Sequence, residues 1–278
     1  MKPAAFDYIR PDSVGEALNI LAERTDDGGD ARVLAGGQSL TAMLNMRLAT
    51  PSLLVDISRL GDLKRILLND GMIEVGAAVT QDELLKWPEL SEVQPLLAQM
   101  LPLVGHYQTR QRGTVCGSIV HADPSAELPL ALAVLQGDVL VQSIRGRRIV
   151  PVAEFQTGMM STNLEAGEMV VACRFPTARG ATRTSFHEVS QRQGDFAIVA
   201  LAAVAGTDGV RLGVGGVAAT PTVIDLAAGP GADLDDALNE LAWALGGVDD
   251  LHASARYRRE LVRRIGRRVV NEVCNVDA

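Results

Sequence analysis

The chain has 278 residues, enough for one large domain or two modest ones with a real core. Hydrophobic residues make up 47% and charged residues 22%, a globular rather than a disordered composition. A net charge of −8, from 34 acidic and 26 basic residues, argues against a dedicated binder of nucleic acid or anionic membranes, and no apolar run reaches the length of a membrane span.

In chain order, residues 11–24 are predicted to form a helix. Ser13-Val14-Gly15-Glu16 fits a capping box, and Val14, Ala17, Leu18 and Leu21 make one apolar face. An acidic loop over 26–30 leads to a short strand over 31–35, which delivers the turn Ala35-Gly36-Gly37-Gln38-Ser39. Residues 40–48 are expected to be helical, with Met43, Leu44 and Met46 in the core. Strands are expected at 53–57 and 72–78. Thr80-Gln81-Asp82-Glu83 is a second capping-box match, and 96–104 continues a helical, apolar region. Arg110 and Arg112 follow, read either as counter-charges for a phosphate or as exposed loop charges. Next comes Gly113-Thr114-Val115-Cys116-Gly117-Ser118-Ile119-Val120-His121-Ala122-Asp123-Pro124. A helix is expected over 126–135, a hairpin around Arg145-Gly146, and a strand over 168–175 closed by Pro176.

Composition shifts after Pro176, and a domain boundary is placed near 177. Three strands, at 185–190, 197–205 and 210–217, precede a helix over 233–245. The last helix carries Tyr257, Leu261, Ile265, Val269 and Val273 at four-residue spacing. Its other face is assigned Arg258, Arg259, Arg263, Arg264, Arg267 and Arg268, read as a solvated face or an intersubunit contact in so acidic a chain. Short strands mixed with helices, without a regular parallel repeat, give an α+β layout.

The two glycine stretches carry the chemical signal. A diphosphate needs several donors converging on a small concave surface. Tight-turn N–H groups supply them, glycine permits close approach, and Ser and Thr hydroxyls add more. Neither stretch has the spacing of a P-loop or of the dinucleotide fingerprint. No Gly-x-Ser-x-Gly elbow or His-Glu-x-x-His motif occurs. Histidines at 106, 121, 187 and 252 do not suggest a histidine-rich metal site. Cys116, Cys173 and Cys274 form no C-x-x-C pair, too few to hold an iron–sulfur cluster on cysteines alone. The scattered cysteines and an opening, Met1-Lys2-Pro3-Ala4-Ala5-Phe6-Asp7, without a hydrophobic signal core lead to an expected cytoplasmic location.

Taken as a pair, Ala35-Gly36-Gly37-Gln38-Ser39 and Thr114-Val115-Cys116-Gly117-Ser118 resemble the A-G-G-x-S and T-I-G-G-N signatures of the flavin-binding medium subunits of molybdenum hydroxylases. That family includes carbon monoxide dehydrogenase medium subunits and the flavin domain of xanthine dehydrogenase. The resemblance runs from Phe6-Asp7-Tyr8 to Tyr257-Arg258. Cys116 stands where the family usually has glycine and Ser118 where it usually has asparagine.

The resemblance implies a two-part FAD-binding domain of the vanillyl-alcohol-oxidase/PCMH-like type over 1–176, with subdomains of about 1–55 and 56–176. A smaller α+β C-terminal domain over 177–278 would follow, a three-stranded antiparallel sheet plus helices. It implies non-covalent FAD, bound by Ala35, Gly36, Gly37, Gln38, Ser39 and Leu40 in the first turn and by Thr114, Cys116, Gly117 and Ser118 in the second. His121, Ala122 and Asp123 fall at the ribityl and phosphate region, and Glu127 at the ribose or adenine end. Val171 falls beside the flavin, and His187 where relatives often have a lysine near the ring, either tuning flavin charge or serving structurally. Arg192-Gln193-Gly194-Asp195 is read as support. No protein nucleophile is implied, because the cofactor does the redox chemistry.

The resemblance further implies an electron-transfer subunit that takes electrons from a small two-iron-two-sulfur (2Fe-2S) partner. A large molybdopterin partner hydroxylates the substrate, the assembly being a dimer of heterotrimers. Two other readings stand beside it: a self-sufficient FAD-dependent oxidoreductase, and a non-redox assembly module with a flavin-type fold.

Overall fold

Three main sheets carry the chain, and the segments between them position the two glycine turns. The computed structural model describes residues 2–180, 182–207, 209–226 and 233–274. Strand β1 (Asp7–Ile9), helix α1 (Val14–Asp26), strand β2 (Ala31–Leu34), helix α2 (Leu40–Asn45) and strand β3 (Leu53–Asp56) come first. The sheet order is β1-β3-β2, with the central strand parallel to both neighbours and buried along its length.

Ser13 caps α1 by accepting from the Glu16 N–H at 3.1 Å. The Glu16 carboxylate returns to the Asp12 N–H at 2.7 Å rather than to Ser13, so only half of the expected capping box forms. Ala17, Leu18 and Leu21 face the core, as their spacing requires. Helix α2 stops at Asn45. Leu44 is buried, but Met46 lies past the last turn and is exposed, not in the core.

Strands β4 (Ile66–Asn69) and β5 (Met72–Gly76) pair antiparallel. Helices α3 (Gln81–Leu85), α4 (Leu90–Val93), α5 (Pro95–Met100), α6 (Tyr107–Arg110), α7 (Val115–His121) and α8 (Glu127–Val134) follow. The capping box of α3 is complete, with Thr80 and Glu83 bonded reciprocally. Strands β6 (Asp138–Ser143) and β7 (Gly146–Pro151) form the expected hairpin. Helix α9 (Val152–Phe155), the ribbon β8 (Gln156–Gly158) and β9 (Ser161–Thr162), and strand β10 (Met169–Pro176) complete this region. The second sheet is β4-β5-β10-β6-β7. Helix α8 is apolar nearly all round and buries Leu128, Leu130, Ala131, Leu132 and Val134, as a helix sandwiched between layers must.

Strands β11 (Arg183–Val189), β12 (Val199–Gly206), β13 (Gly209–Gly215) and β14 (Thr222–Leu226) form an antiparallel meander. The sheet therefore has four strands, not the three expected. Thr222–Leu226 is a short edge strand, none of it fully buried, so its alternation is weak in sequence. Gly213 and Phe186 belong to the face covered by α8, while Leu201 and Val214 face helices α10 (Leu234–Leu245) and α11 (Ala255–Cys274).

The face of α11 also differs from the expected one. Leu261, Ile265, Val269 and Val273 are buried, but Tyr257 is exposed and Arg258 is buried in its place. A strict four-residue step advances about 40° past a full turn each time, so a long run at that spacing leaves the core face. Arg258 Nη1 donates to the carbonyls of Ile198 (2.6 Å) and Gly216 (2.8 Å), and Nη2 to Asp250 (2.5 Å). The other five arginines are also engaged. Arg259 lies over Trp243, Arg263 and Arg264 hold Glu260, Arg267 holds Asp235, and Arg268 holds Glu272. Among the described residues no helix is long and apolar enough to cross a membrane.

Replacing Arg258 with alanine leaves two carbonyls at the β12–β13 end without their donor. The Arg258→Ala chain is expected to lose about 3 kcal/mol of stability, read from urea unfolding midpoints, while an exposed control, Arg264→Ala, changes by less than about 0.5 kcal/mol.

Candidate functional site

Both glycine turns sit at strand-to-helix junctions, and their backbones touch. Strand β2 ends at Leu34, and the chain turns through Ala35, Gly36, Gly37 and Gln38 into Ser39 and Leu40 at the start of α2. Gly37 has φ +74°, a left-handed conformation open to glycine. Gly36 is glycine for another reason. A methyl group there would lie 2.1 Å from the Arg112 carbonyl oxygen and 2.8 Å from Gly113 Cα.

The second turn is fixed from the other side by β-type contacts. Gln81 N donates to Gly113 O (2.8 Å) and Val115 N to Val79 O (3.1 Å). Thr114 then caps α7, its hydroxyl accepting from Gly117 N at 3.0 Å. A methyl group on Gly117 would come within 2.6 Å of that hydroxyl oxygen. The turns thus meet beside an open groove of about 500 Å³, lined by Gly36, Gly37, Gln38, Thr41, Ala42, Asn45 and Arg112. Arg112 is exposed at the groove. Arg110 instead turns inward and donates to the carbonyls of Val104 and Gly105, both at 3.0 Å.

Helix α7 has two faces. Val115, Cys116 and Ile119 are buried, while Gly117, Ser118 and His121 are only half-buried on the other side. Cys116 therefore occupies ordinary helical backbone, and its thiol donates to Val75 O at 3.3 Å inside the core. Cys173 lies beside it, its thiol pushed up by burial and by Cys116. Ala122 closes α7 in the left-handed conformation at φ +52°. Asp123 Oδ1 accepts from Ser125 N (2.9 Å), and the chain reverses through Pro124 into α8 with Glu127 in its first turn.

Val171 is the extra residue of a β-bulge: Val170 lies opposite Val141 and Ala172 opposite Leu140. Its carbonyl accepts from Ala77 N at 2.9 Å.

Residues 4–178 match the family described as the FAD binding domain in molybdopterin dehydrogenase. The chain belongs to this family. It is 36% identical to the 6-hydroxypseudooxynicotine dehydrogenase complex subunit alpha of Paenarthrobacter nicotinovorans, over 95% of this chain and 92% of that protein. It is 32% identical to the nicotine 6-hydroxylase medium subunit of the same organism, over 98% of each. A carbon monoxide dehydrogenase structure from Hydrogenophaga pseudoflava superposes with a TM-score of 0.92 at 29% identity, over 100% of both chains. The resemblance read from the two glycine motifs is thereby borne out, and so is the oxidoreductase class, because relatives are named as dehydrogenase and hydroxylase subunits. The FAD-binding medium-subunit type of molybdenum hydroxylase complexes is the type to which the chain corresponds.

The donor set suits the flavin nucleotide this family binds. The groove is bounded by a glycine backbone that a Cβ would fill and by an exposed arginine. Among the described residues no group of three or more His, Cys, Asp or Glu is placed to hold a metal ion.

His187 lies on the face of β11 turned to α11. With Ser185 it faces α11, where both bond Glu272 (2.5 Å from Ser185 Oγ, 3.0 Å from His187 Nε2). Burial works against the Glu272 charge, but Ser185, Arg268 and His187 together hold its carboxyl at about 2. Strand parity places Phe186 and Glu188 on the opposite face, towards α8. Glu188 was missed in sequence because an acidic residue in a short strand usually marks the solvent side. Burial pushes its carboxyl up to about 7. Glu127 is raised further, to about 8, first by burial and then by the charges of Glu188 and Asp123.

Two outcomes follow. Gly36→Ala drives the turns apart and is expected to lower FAD retention by roughly tenfold or more, measured as flavin per chain after gel filtration, with far-UV dichroism unchanged. A raised carboxyl makes the native chain hold a proton that the unfolded chain loses above its ordinary value of 4.5. Its contribution to stability is complete below that value and is lost as pH rises towards about 8. Flavin-free chain should therefore unfold at falling urea concentration from about pH 5 to pH 8, and Glu127→Gln should flatten that decline.

Proposed function

We propose that the chain is the FAD-binding electron-transfer subunit of a multi-subunit molybdenum-containing hydroxylase or dehydrogenase. The backbone contact of Gly36 with Arg112 and Gly113 carries this reading, since it joins two turns distant in sequence into one concave donor surface. The near full-length likeness to medium subunits supports it.

In this reading residues 1–176 hold the cofactor and 177–278 form the C-terminal flavoprotein-subunit domain. Backbone N–H groups of Ala35, Gly36, Gly37, Gln38, Ser39 and Leu40 face the diphosphate, joined by those of Thr114 and Cys116, while Gly117 permits close approach and Ser118 offers its hydroxyl, the N–H groups of these last two being held by Thr114. Cys116 takes part through its backbone alone, its thiol being turned into the core. Ser118 and His121 offer side chains from the open face of α7. Ala122, Asp123 and Glu127 line the return turn, and Val171 supplies an apolar wall where the bulge re-aims it. Arg112 balances phosphate charge at the groove, and Arg110 is structural.

Bound FAD supplies the electron uptake and release, and the chain binds it, orients it and shields it from water. The electrons come from a 2Fe-2S cluster in a small partner subunit. Substrate hydroxylation takes place at molybdopterin in a large one. Two such trimers form the assembly, in the cytoplasm. Three cysteines, two of them buried side by side, do not make a cluster-binding set within this chain.

The test is native purification with co-expressed partner subunits, followed by a visible spectrum, a denaturing gel and metal analysis. Flavin bands with iron and molybdenum at about one FAD per chain are expected. Absence of flavin from the intact complex, and after incubation with FAD, overturns the reading. Substrate oxidation by the lone chain replaces it with a self-sufficient flavoenzyme.

A further inference from the structure

A second, smaller pocket lies where the loop over 190–195 meets the segment that leads into the second glycine turn. It has a volume of about 150 Å³ and is lined by Pro102, Gly105, His106, Tyr107, Arg110 and Gln193. Five of these precede Gly113 in the chain, whereas Gln193 comes from the loop between β11 and β12. The pocket shares no lining residue with the groove beside the glycine turns.

The loop keeps its shape through its own bonds. Ile198 N donates to Val189 O at 2.7 Å and closes the base. Ser190 Oγ donates to Arg192 O at 2.9 Å, and Arg192 Nε to Asp195 Oδ2 at 3.0 Å. Asp195 N also donates to Arg192 O, at 3.1 Å. Gln193 is thus carried on a bonded turn. That turn rests directly on the segment before α6. A methyl group on Gly194 would lie 2.5 Å from His106 Cε1, 2.6 Å from its Nδ1 and 3.2 Å from the Gly105 carbonyl carbon. Gly194 also has φ +85°, a conformation open to glycine. The stretch Arg192-Gln193-Gly194-Asp195, read in the sequence as support, therefore closes one wall of a cavity.

The lining is rich in donors and holds no carboxylate. His106, Tyr107, Arg110 and Gln193 each carry at least one N–H or O–H. Arg110 Nη1 donates to the carbonyls of Val104 and Gly105, which fixes the guanidinium plane. Its Nε is buried without a partner, and among the described residues Arg110 forms no ion pair. The acidic groups that act on it are otherwise engaged. Lys86 holds Asp82 at 2.6 Å, and burial favours the neutral form of Glu127. Lys86 in turn feels the Tyr107 phenol, so a second cation stands near that side of the pocket. A guanidinium, an amide, a phenol and an imidazole on one cavity suit an oxyanion, which accepts from all four. Volume sets the size of that anion. Organic ligands occupy pockets of roughly 300–1,000 Å³, so a nucleotide is too large, whereas a single phosphate or carboxylate fits.

We infer that this pocket binds one small oxyanion, a phosphate or a carboxylate, held by Tyr107, Arg110 and Gln193 with His106 beside them. The anion ties the β11–β12 loop to the segment that runs into the second glycine turn, and so joins the C-terminal sheet to the wall of the first groove. The site is separate from that groove and does not depend on the reading of the chain as an FAD carrier.

The experiment is calorimetric titration of the full chain with inorganic phosphate and, separately, with acetate, at constant ionic strength. It is run with and without FAD, because phosphate also suits the glycine groove. One anion site with a Kd on the order of 1 mM is expected to survive saturation with FAD. Gln193→Ala should weaken that site roughly three- to tenfold. Gly194→Ala pushes the loop off His106 and should weaken it by more than about tenfold. Proton NMR locates the site: of the four histidines, His106, assigned by loss of its ring signals in His106→Gln, should be the one that shifts as phosphate is added. Tighter binding of phosphate than of acetate assigns a tetrahedral dianion, and the reverse order assigns a carboxylate. Binding that FAD abolishes, or that Gln193→Ala and Gly194→Ala leave unchanged, overturns the proposal. So does the absence of binding by either anion up to about 20 mM. Should Gly194→Ala fail to fold, Gln193→Ala, at an exposed position, decides.

Discussion

The contact between Gly36 and the Arg112–Gly113 backbone is the constraint on which the site depends. It leaves no room for a side chain, so the first turn cannot be rebuilt from ordinary residues without moving the second. The second turn is not free to move either. The hydrogen bonds Gln81 N to Gly113 O and Val115 N to Val79 O bind it to the segment that enters α3. The completed capping box at Thr80 and Glu83 then anchors that segment. A chain of local rules, each worth on the order of 1 kcal/mol, thus sets the spacing of two loops far apart in sequence, at Gly36 and Gly113. Rigidity of this sort lets backbone donors bind an anion without reorganising.

The site also depends on what lies behind it. Helix α8 is buried between helices α5 and α7 and the C-terminal meander, and its first residue is a carboxylic acid. The meander accommodates it with small residues, Ala202 and Gly213 in one row and Ala200 and Gly215 in the next. Gly213 makes room for Leu130 and Val134, and a methyl group there would come within 2.9 Å of Leu130. The C-terminal sheet is therefore part of the same packing unit as the glycine turns, and Phe186, Ala200 and Ala202 join the core that contains Val115 and Ile119.

Much of this was legible in the sequence, for physical reasons that differ by element. Capping residues at Ser13 and Thr80, the Arg145-Gly146 hairpin and the glycine turns are short-range signals, and they marked their elements well. What failed depended on parity, angle or tertiary context. Met46 fell outside the core because α2 ends one residue earlier. Tyr257 and Arg258 exchanged places because fixed four-residue steps drift off a helix face. His187 falls where relatives often have a lysine near the ring, whereas the strand turns His187 to α11 and its neighbour Glu188 to the opposite face. Strand β14 was missed because an edge strand with little burial leaves little alternation to read. The departure at Cys116 is harmless for a reason no motif contains: its side chain leaves the helix on the core side.

Helix α11 gives the molecule an outward field unlike its sequence. Six arginines within eleven residues suggest a strongly attractive surface for polyanions. Glu260, Glu272, Asp235 and Asp250 stand against five of them, and the sixth lies over an indole with one Nη1 on the Gly246 carbonyl. Little mobile counterion atmosphere is left to be released on contact with another body. Any protein that docks along this helix therefore meets a paired, hydrogen-bonded surface rather than a diffuse charge. Adhesion there would be governed by shape and desolvation and would change little with ionic strength.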